Sequence, residues 1–181
     1  MNLLDTAHVE GFSRSSQDVT TARLLQFGIA PALKQNFEEV MRAPYLIQML
    51  LVEINPKDEA IFFRLNYDGY WESLKSGGVI AGNNKVMESI QAKIEATPFK
   101  TYPLQKALKE ACLIWEQGLN DGRSEDAAEA KPNESPANLK EAFEKWTLEA
   151  AILCHDTSRK SLYRPLSTDE IEQVKASILS S

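Results

Sequence analysis

The sequence is poor in the residues on which disulfide scaffolds, metal centres and nucleic-acid surfaces depend. Its 181 residues include two cysteines and two histidines, too few for a disulfide framework or a regularly spaced zinc site. Acidic residues outnumber basic ones, 26 to 20, so the formal net charge is −6. Because phosphate binding requires concentrated lysine and arginine, this charge argues against nucleic acid as the main partner.

Long apolar runs are absent as well. No stretch reaches the length of about 18 apolar residues that a membrane-spanning helix needs, so no membrane partner is predicted. The start, MNLLDTAHVEGF, has neither a basic segment nor a long apolar run, and no signal peptide is predicted. Because both cysteines lie in apolar surroundings, a protein of the reducing cytoplasm is the simplest expectation.

What the sequence does contain is a hydrophobic fraction of 43%, which is enough to build a globular core. Apolar residues at three- and four-residue steps predict a long helix over 18–43, with Asp18 as its N-cap. The apolar segment YLIQMLLVEI, 45–54, predicts a strand buried on both faces or a short buried helix. Two further strands follow it, joined by the strong hairpin signal Asp68-Gly69. Residues 45–75 are therefore predicted to form an antiparallel meander.

The second half of the chain predicts two helices and an acidic loop. SGGVIAGNN, 76–84, leads into a helix that Asn83 or Asn84 caps and that Pro98 ends. A second helix opens near Pro103 and is predicted to end at Gly118. The segment DGRSEDAAEAKPNESPA, 121–137, is predicted to be a flexible acidic surface loop.

Residues 139–155 fit both a helical stripe and a strand's alternation. We predict a closing hairpin of two strands, 145–155 and 161–166, with turn residues between them. Ser167 and Glu170 form a capping box that begins a last helix. Strands grouped between helices indicate a layered α+β fold, in one domain spanning residues 1–181.

The most suggestive group of side chains is Cys154-His155-Asp156. A thiolate–imidazole pair needs hydrogen-bond reach of about 3 Å. Neighbours on a strand point to opposite faces, and on a helix they diverge by about 100°, so adjacency argues against a dyad. A metal site would need more ligands, and only His8 and Cys112 remain. We therefore predict no catalytic, cofactor-binding or metal-binding residues, and we place Cys154 inward at the end of a strand.

Two other features have structural interpretations. SGGVIAGNN has neither the GxGxxG nor the GxxxxGK[ST] pattern of a phosphate loop, and it predicts a sharp turn from strand to helix. An aromatic cluster in the meander is predicted to pack the sheet against a helix, with part of it at a subunit contact. Its members are Phe62, Phe63, Tyr67, Tyr70 and Trp71.

The order of these motifs resembles the second half of a proteasome subunit. In that family "PY" opens a central strand, a "Y-D-x-G" type turn joins two strands, and a small-residue passage leads into two antiparallel helices. PYLIQMLLVEI, FFRLNYDGYWE and SGGVIAGNN stand in that order here. WTLEAAILCHDTSRKSLYRPLSTDEIEQV resembles the family's last hairpin and short final helix. SSQDVTTARLLQFG is similar to the first helix of bacterial, actinobacterial-type α-type subunits, which "RDVT" opens. The resemblance covers roughly residues 12–180.

The resemblance implies an αββα sandwich of the Ntn-hydrolase or proteasome type and a structural, gating role in a protein-degrading complex. The implied partners are further copies in a homo-oligomeric ring, β-type catalytic subunits, and protein substrates that reach the complex. The helix over 18–43 would lie at the lateral contact of the ring. The family's front strands have no counterpart in this sequence, so the fold is expected to be incomplete at the N-terminus. Without them, the strand at 45–54 would expose an apolar edge or face.

No catalytic role carries over from the family. An N-terminal nucleophile uses its own free amine as base, and Thr6, Thr20 and Thr21 do not occupy such a position. Two alternatives stay open beside the proteasome-like interpretation. One is a free-standing α+β interaction protein that binds a protein partner by strand addition along 45–75. The other is a hydrolase that uses Cys154 and His155, which the geometry already disfavours.

Overall fold

Two hydrophobic cores organise the chain, one in each of two compact units, Met1–Ile80 and Ala81–Ser181. The computed structural model describes residues 3–13, 19–41, 43–55, 57–125, 136–154 and 161–180. The architecture is mixed α+β, as the order of apolar patterns predicts.

The first unit consists of helices followed by a three-stranded antiparallel sheet. Its elements are α1 (Leu3–Ser13), α2 (Thr21–Leu24), a π-helical turn (Leu25–Ile29), α3 (Ala30–Glu38), β1 (Met49–Ile54), β2 (Ala60–Leu65) and β3 (Trp71–Leu74). The N-cap of α2 is Thr20, whose hydroxyl accepts the N–H of Arg23 at 3.3 Å. The prediction of Asp18 as this cap is wrong, and Asp18 itself lies outside the described residues.

The π-helical turn carries the helix through Gly28 and Pro31. Proline has no N–H to donate to the carbonyl four residues back, which weakens a regular helix at this point. The helix instead widens to a π-helical turn, in which Ala30 donates its N–H to the carbonyl of Leu25, five residues earlier. One continuous helical run therefore extends from Thr21 to Glu38.

The predicted meander is confirmed, with sheet order β1-β2-β3. Val52 lies opposite Phe62 in the β1–β2 pair, and Leu65 lies opposite Trp71 in the β2–β3 pair. The second hairpin turns at Gly69, whose φ of 82° is unfavourable for residues with a side chain.

The first strand is shorter and more exposed than predicted. It begins at Met49 rather than at Tyr45, because Ile47 donates its N–H to the carbonyl of Tyr45 in a local turn, at 3.0 Å. Its side chains alternate between a packed face and an exposed one, so the prediction of a strand buried on both faces is wrong.

The core of the first unit lies between the helical run and one face of the sheet. Leu25 and Leu65 are fully buried, and Phe63 is nearly so. Met49 and Leu51 of β1 pack against this core. The helices therefore cover one face of the meander, which we call the packed face. The other, which we call the open face, is covered only in part by the segment after β3, where Gly78 lies against Leu50 and Leu74 and Arg64 donates to the carbonyl of Val79.

The second unit contains an antiparallel helix pair, a small hairpin and a C-terminal helix. Its elements are α4 (Asn84–Ala96), a 3-10 turn (Phe99–Thr101), α5 (Leu104–Glu125), α6 (Leu139–Lys145), β4 (Ala151–Leu153), β5 (Tyr163–Pro165) and α7 (Thr168–Leu179). The predicted cap at Asn83 and the capping box of Ser167 with Glu170 are both confirmed.

Glycines bring α4 and α5 close together. A Cβ on Gly118 would collide with Ile90, and one on Gly122 with Val86, so the helices run antiparallel with little space between them. The predicted helix end at Gly118 is wrong, because α5 continues to Glu125. Residues 121–125 are thus helical rather than part of the predicted acidic loop, whose residues 126–135 lie outside the described ranges.

The ambiguous segment 139–155 forms a helix first and a strand second. Leu139–Lys145 is helical, with the side chain of Asn138 accepting the N–H of Glu141. The strand is confined to Ala151–Leu153, so the prediction of a strand from residue 145 is wrong for its first half. Tyr163–Pro165 is the return strand, shorter than the predicted 161–166.

The core of the second unit joins α5, α6 and α7. Cys112, Leu139, Val174 and Ile178 are buried together. The helical assignment of 139–145 follows from this core, because it places Leu139 and Ala142 inward on one side of a helix.

Candidate functional site

The structure places the sequence candidates in separate environments. Cys154 is a free, half-buried cysteine just after β4, and its N–H donates to the carbonyl of Leu162 at 3.0 Å. His155 and Asp156 lie outside the described residues, so their predicted directions stay predictions. His8 is exposed on α1 in the first unit, whereas Cys112 is buried in the core of the second.

Cys112 borders an apolar cavity of about 340 Å³. Trp115 and Trp146 contact each other at its wall, with ring centroids 6.0 Å apart. Phe143 and Leu148 also line the cavity. Burial raises the pKa of the Cys112 thiol, which keeps it protonated and weakly nucleophilic. The cavity offers apolar contact rather than an activated thiol.

A cluster of polar side chains links α4 to α5. Lys93 donates from Nζ to the hydroxyl of Ser89 at 2.8 Å and also pairs with Asp121. Asp121 accepts hydrogen bonds from Lys93 and from the hydroxyl of Ser89, and these two bonds, that of Lys93 first, lower the pKa of its carboxyl. These side chains bind one another between α4 and α5, so we assign this cluster to helix packing.

Other chemistry finds little support in the part of the chain that the structure describes. No three histidine, cysteine, aspartate or glutamate side chains come together there as a metal site would require. None of the helices described is long and apolar enough to cross a membrane. In SGGVIAGNN, Gly78 sits close against Leu50 and Leu74, where a Cβ would collide with both.

The aromatic cluster of the meander divides between packing and exposure. Phe63 and Trp71 contact each other in the core, with centroids 6.1 Å apart. Tyr67 contacts Phe37 of α3 at 5.4 Å, which confirms that part of the cluster packs the sheet against a helix. Tyr70 is 60% exposed and is available for contact with another molecule.

The feature of the first unit that most resembles a functional site is an apolar surface around β1. We call it the β1 surface. Its members are the exposed side chains of Val40, Met41, Tyr45, Leu46, Ile47, Leu50 and Val52. Isolated exposed apolar residues are normal, but seven of them within residues 40–52 are an unusual concentration on one short segment. This is the exposure that the proteasome resemblance implies for 45–54.

The outer edge of β1 leaves backbone groups without a strand to bind. Within the described ranges no strand pairs with this edge. Asn55 donates its N–H to the carbonyl of Glu59 at 3.0 Å. This bond fixes which residues of β1 point their backbone N–H and C=O groups toward β2, because the direction alternates along the strand. In an antiparallel pair every second residue turns its N–H and C=O toward its partner. Leu50, Val52 and Ile54 therefore direct theirs outward.

The second hairpin gives the same alternation independently. Asn66 donates its N–H to Tyr70, so Arg64 and Phe62 exchange hydrogen bonds with β3. In β1, Leu50 lies opposite Arg64 and Val52 lies opposite Phe62. The backbone N–H and C=O groups of Leu50 and Val52 must then point away from β2.

Charged side chains near this edge already have hydrogen-bond partners within the first unit. Arg64 and Glu72 form an ion pair at 2.6 Å on the open face, and the Arg64 side chain is 13% exposed. Glu53, on the packed face, accepts the N–H of Thr21 at the start of α2, at 2.6 Å. The edge therefore presents backbone groups and apolar side chains, which suit strand addition.

Sequence reasoning identified the strand but missed the extent of the surface. Val40 and Met41 were assigned to a helix that the structure ends at Glu38. The apolar character of Val40 and Met41 was the sequence signal that could have indicated the larger surface. No protein-family model and no curated protein matches this chain.

Proposed function

We propose that the chain is a non-catalytic assembly subunit, of the α-type proteasome-like kind, in a self-compartmentalised protein-degrading complex. The observation that carries this proposal is the open apolar edge of β1 at the start of a meander. Two antiparallel helices follow the meander, in the order that the resemblance implies. Such an edge is a liability for an isolated chain and a contact site for an assembled one.

The layer arrangement of the first unit supports the finer fold proposal, an αββα sandwich. One face of the meander is covered by α2 and α3, while Leu50 and Val52 of the open face are exposed. In a sandwich of two sheets, the open face packs against a second sheet about 10 Å away. We propose that strands from another polypeptide segment or chain complete the sheet beside β1.

The threonines near α2 support a role without an N-terminal nucleophile. The Thr20 hydroxyl is engaged as the helix N-cap, and the backbone N–H of Thr21 donates to Glu53. Both residues therefore serve to start a helix. A structural and gating role in the cytoplasm, with β-type partners supplying the nucleophile, is consistent with this arrangement.

Native mass measurement tests the proposal. The chain is purified under native conditions from its own cells, and co-purifying proteins are identified by mass spectrometry. We expect a large complex that contains a threonine-type endopeptidase subunit. A strictly monomeric chain without such a subunit would overturn the proposal.

A matched pair of variants tests whether β1 makes the contact. Leu50→Lys places a charge at the open edge, whereas Leu104→Lys places the same charge on a helix at similar exposure, 42% against 38%. Loss of the complex with Leu50→Lys and retention with Leu104→Lys is the expected result. Equal behaviour of the two variants would exclude the β1 surface as the contact.

A second candidate function is favoured by the character of the edge itself. β1 has no lysine or proline, residues that natural edge strands use to prevent pairing. A free-standing interaction protein could use this edge to bind an extended segment of a protein partner. Co-purification of such a partner without any endopeptidase subunit would favour this alternative.

A further inference from the structure

We propose that, in the unassembled chain, β1 pairs antiparallel with β1 of a second copy, with Val52 on the two-fold axis. The dimer goes beyond the proposed function and does not depend on it. One consequence does rest on the proposed function: dimerisation and incorporation into the complex exclude each other, because both would use the same backbone groups.

Every second residue of β1 directs its backbone N–H and C=O groups outward, so the edge of one copy can form hydrogen bonds with the same edge of another. When Val52 lies opposite Val52 of the second copy, Leu50 lies opposite Ile54. All three residues direct N–H and C=O outward, so they meet as hydrogen-bonded pairs. The register satisfies the outward donors and acceptors of β1 in both copies at once, and it joins the two sheets into one.

The side chains agree with the same register. Leu50 and Val52 are 42% and 36% exposed on the open face, and pairing would lay the open faces of both copies side by side. Glu53 would lie opposite Leu51 of the second copy rather than opposite another Glu53. Its carboxylate already accepts the N–H of Thr21, so it has a hydrogen-bond partner within its own copy.

A second copy fits this edge better than a partner recognised by charge. Arg64 and Glu72 form an ion pair that is neutral as a unit, so this pair gives the open face near β1 no net charge that a partner could recognise. The edge then presents the outward N–H and C=O groups of a short strand. These groups can pair with the same groups of a second copy that a two-fold axis relates to the first. The net charge of −6 on each copy opposes association at long range, and salt screens it over about 8 Å at 0.15 M.

Substitution by proline separates the outward edge from the inner ladder. Val52→Pro removes an N–H that points away from β2, so the β1–β2 hydrogen bonds are kept. Val52→Thr is the matched control, because it keeps both the N–H and a β-branched side chain. Sedimentation velocity over a range of concentrations measures the dimer, and circular dichroism checks folding.

We expect a concentration-dependent dimer for the natural chain and for Val52→Thr, and a folded monomer for Val52→Pro at the same concentrations. The proposal is overturned if the natural chain stays monomeric, or if folded Val52→Pro dimerises as strongly as Val52→Thr.

Disulfide cross-linking gives a readout that does not depend on how well the proline variant folds. In a background with Cys112→Ala and Cys154→Ser, Val52→Cys brings two thiols together on the axis, where paired Cβ atoms lie about 5 Å apart. Leu46→Cys is the control, since Leu46 is 74% exposed but six positions from the axis. Along a fully extended strand two such residues would be about 40 Å apart at roughly 3.3 Å per residue, and Leu46 lies before the start of β1.

Mild oxidation should link Val52→Cys at least tenfold faster than Leu46→Cys. Equal rates would refute the register. The mutual exclusion is tested by presenting oxidised and reduced Val52→Cys to the native complex: only the reduced form is expected to enter. If neither form enters while cross-linking stays specific, the proposed function fails and the dimer stands.

Discussion

Gly118 shows how one residue can mislead a reading of local pattern. Glycine near the end of an apolar stripe is a common helix terminator, yet here α5 continues past it to Glu125. Its role is to leave space, because a Cβ at this position would collide with the buried side chain of Ile90 on α4. Only a contact between two helices distinguishes these roles.

Gly118→Ala tests that role. Overpacking costs about 1–3 kcal/mol, and alanine returns about 1 kcal/mol of helix propensity, so we expect a net loss of about 1 kcal/mol. Gly82→Ala is the control, since nothing lies within 4 Å of its Cβ position. Urea unfolding measures both, and an unchanged midpoint for Gly118→Ala would show that α4 and α5 have room to separate.

Among the residues that the structure describes, Glu170 has the carboxyl whose pKa is shifted most strongly. Hydrogen bonds from Arg164, at 2.7 and 2.9 Å, and then from the backbone of Ser167 lower its pKa from 4.5 to about 2. A lowered pKa means that the charged form is stabilised in the folded state. Its contribution is therefore complete above about 4.5 and is lost as the pH falls toward 2.

Glu170→Gln should accordingly lower thermal stability at pH 7, and the difference should shrink as the pH falls from 4.5 toward 2. Glu172→Gln serves as the control in the same helix, because its partner Lys175 forms an ordinary surface pair. Melting temperatures at pH 7, 4 and 2 provide the test. A difference that is as large at pH 2 as at pH 7 would mean that the effect of Glu170 is not electrostatic.

At the scale of elements, the sequence identified the helix caps at Asn83 and Ser167 correctly and the cap of α2 wrongly, as Asp18 instead of Thr20. The sequence left Asn83 and Asn84 as alternatives, and the structure selects Asn83, whose side chain accepts the N–H groups of Lys85 and Val86. Capping is recognisable because it involves residues within three positions of one another.

Asn83→Ala should cost about 1 kcal/mol of stability, since it removes the acceptor for the first helical N–H groups. Asn84→Ala, one position later on an exposed site, should change stability by less than about 0.5 kcal/mol. Chemical unfolding of both variants distinguishes them. Equal losses would assign the cap to both residues.

The segment 139–155 shows where local pattern is insufficient. Leu139, Phe143 and Trp146 fit a helix, whereas Trp146, Leu148 and Ile152 fit a strand, and the two patterns overlap. The structure uses both in succession, with α6 packed into the second core and β4 paired with β5. The change of element depends on contacts with distant residues of α5 and α7, which no window of sequence contains.

At the scale of the whole molecule, net charge and exposed apolar surface act against each other. The chain carries −6 at neutral pH and has a pI of about 5.1, so its self-repulsion falls as the solution is acidified. The exposed apolar residues of the β1 surface then become the dominant influence on association.

We therefore expect light scattering to rise as the pH approaches 5, and to rise less for Leu50→Lys than for Leu104→Lys. The two variants change the charge equally, so a difference between them reports the position of the substitution. Identical pH profiles would show that association is driven by net charge alone.

The amino-acid sequence by itself determined the α+β class, the three-stranded meander with its turn at Gly69, and the caps at Asn83 and Ser167. These features depend on apolar periodicity and on hydrogen bonds between near neighbours. The tertiary structure decided the exposure of β1, the length of α5 and the split of 139–155 into helix and strand. Each depends on which distant surface a side chain meets, because burial and helix contact are properties of packing and not of a local pattern.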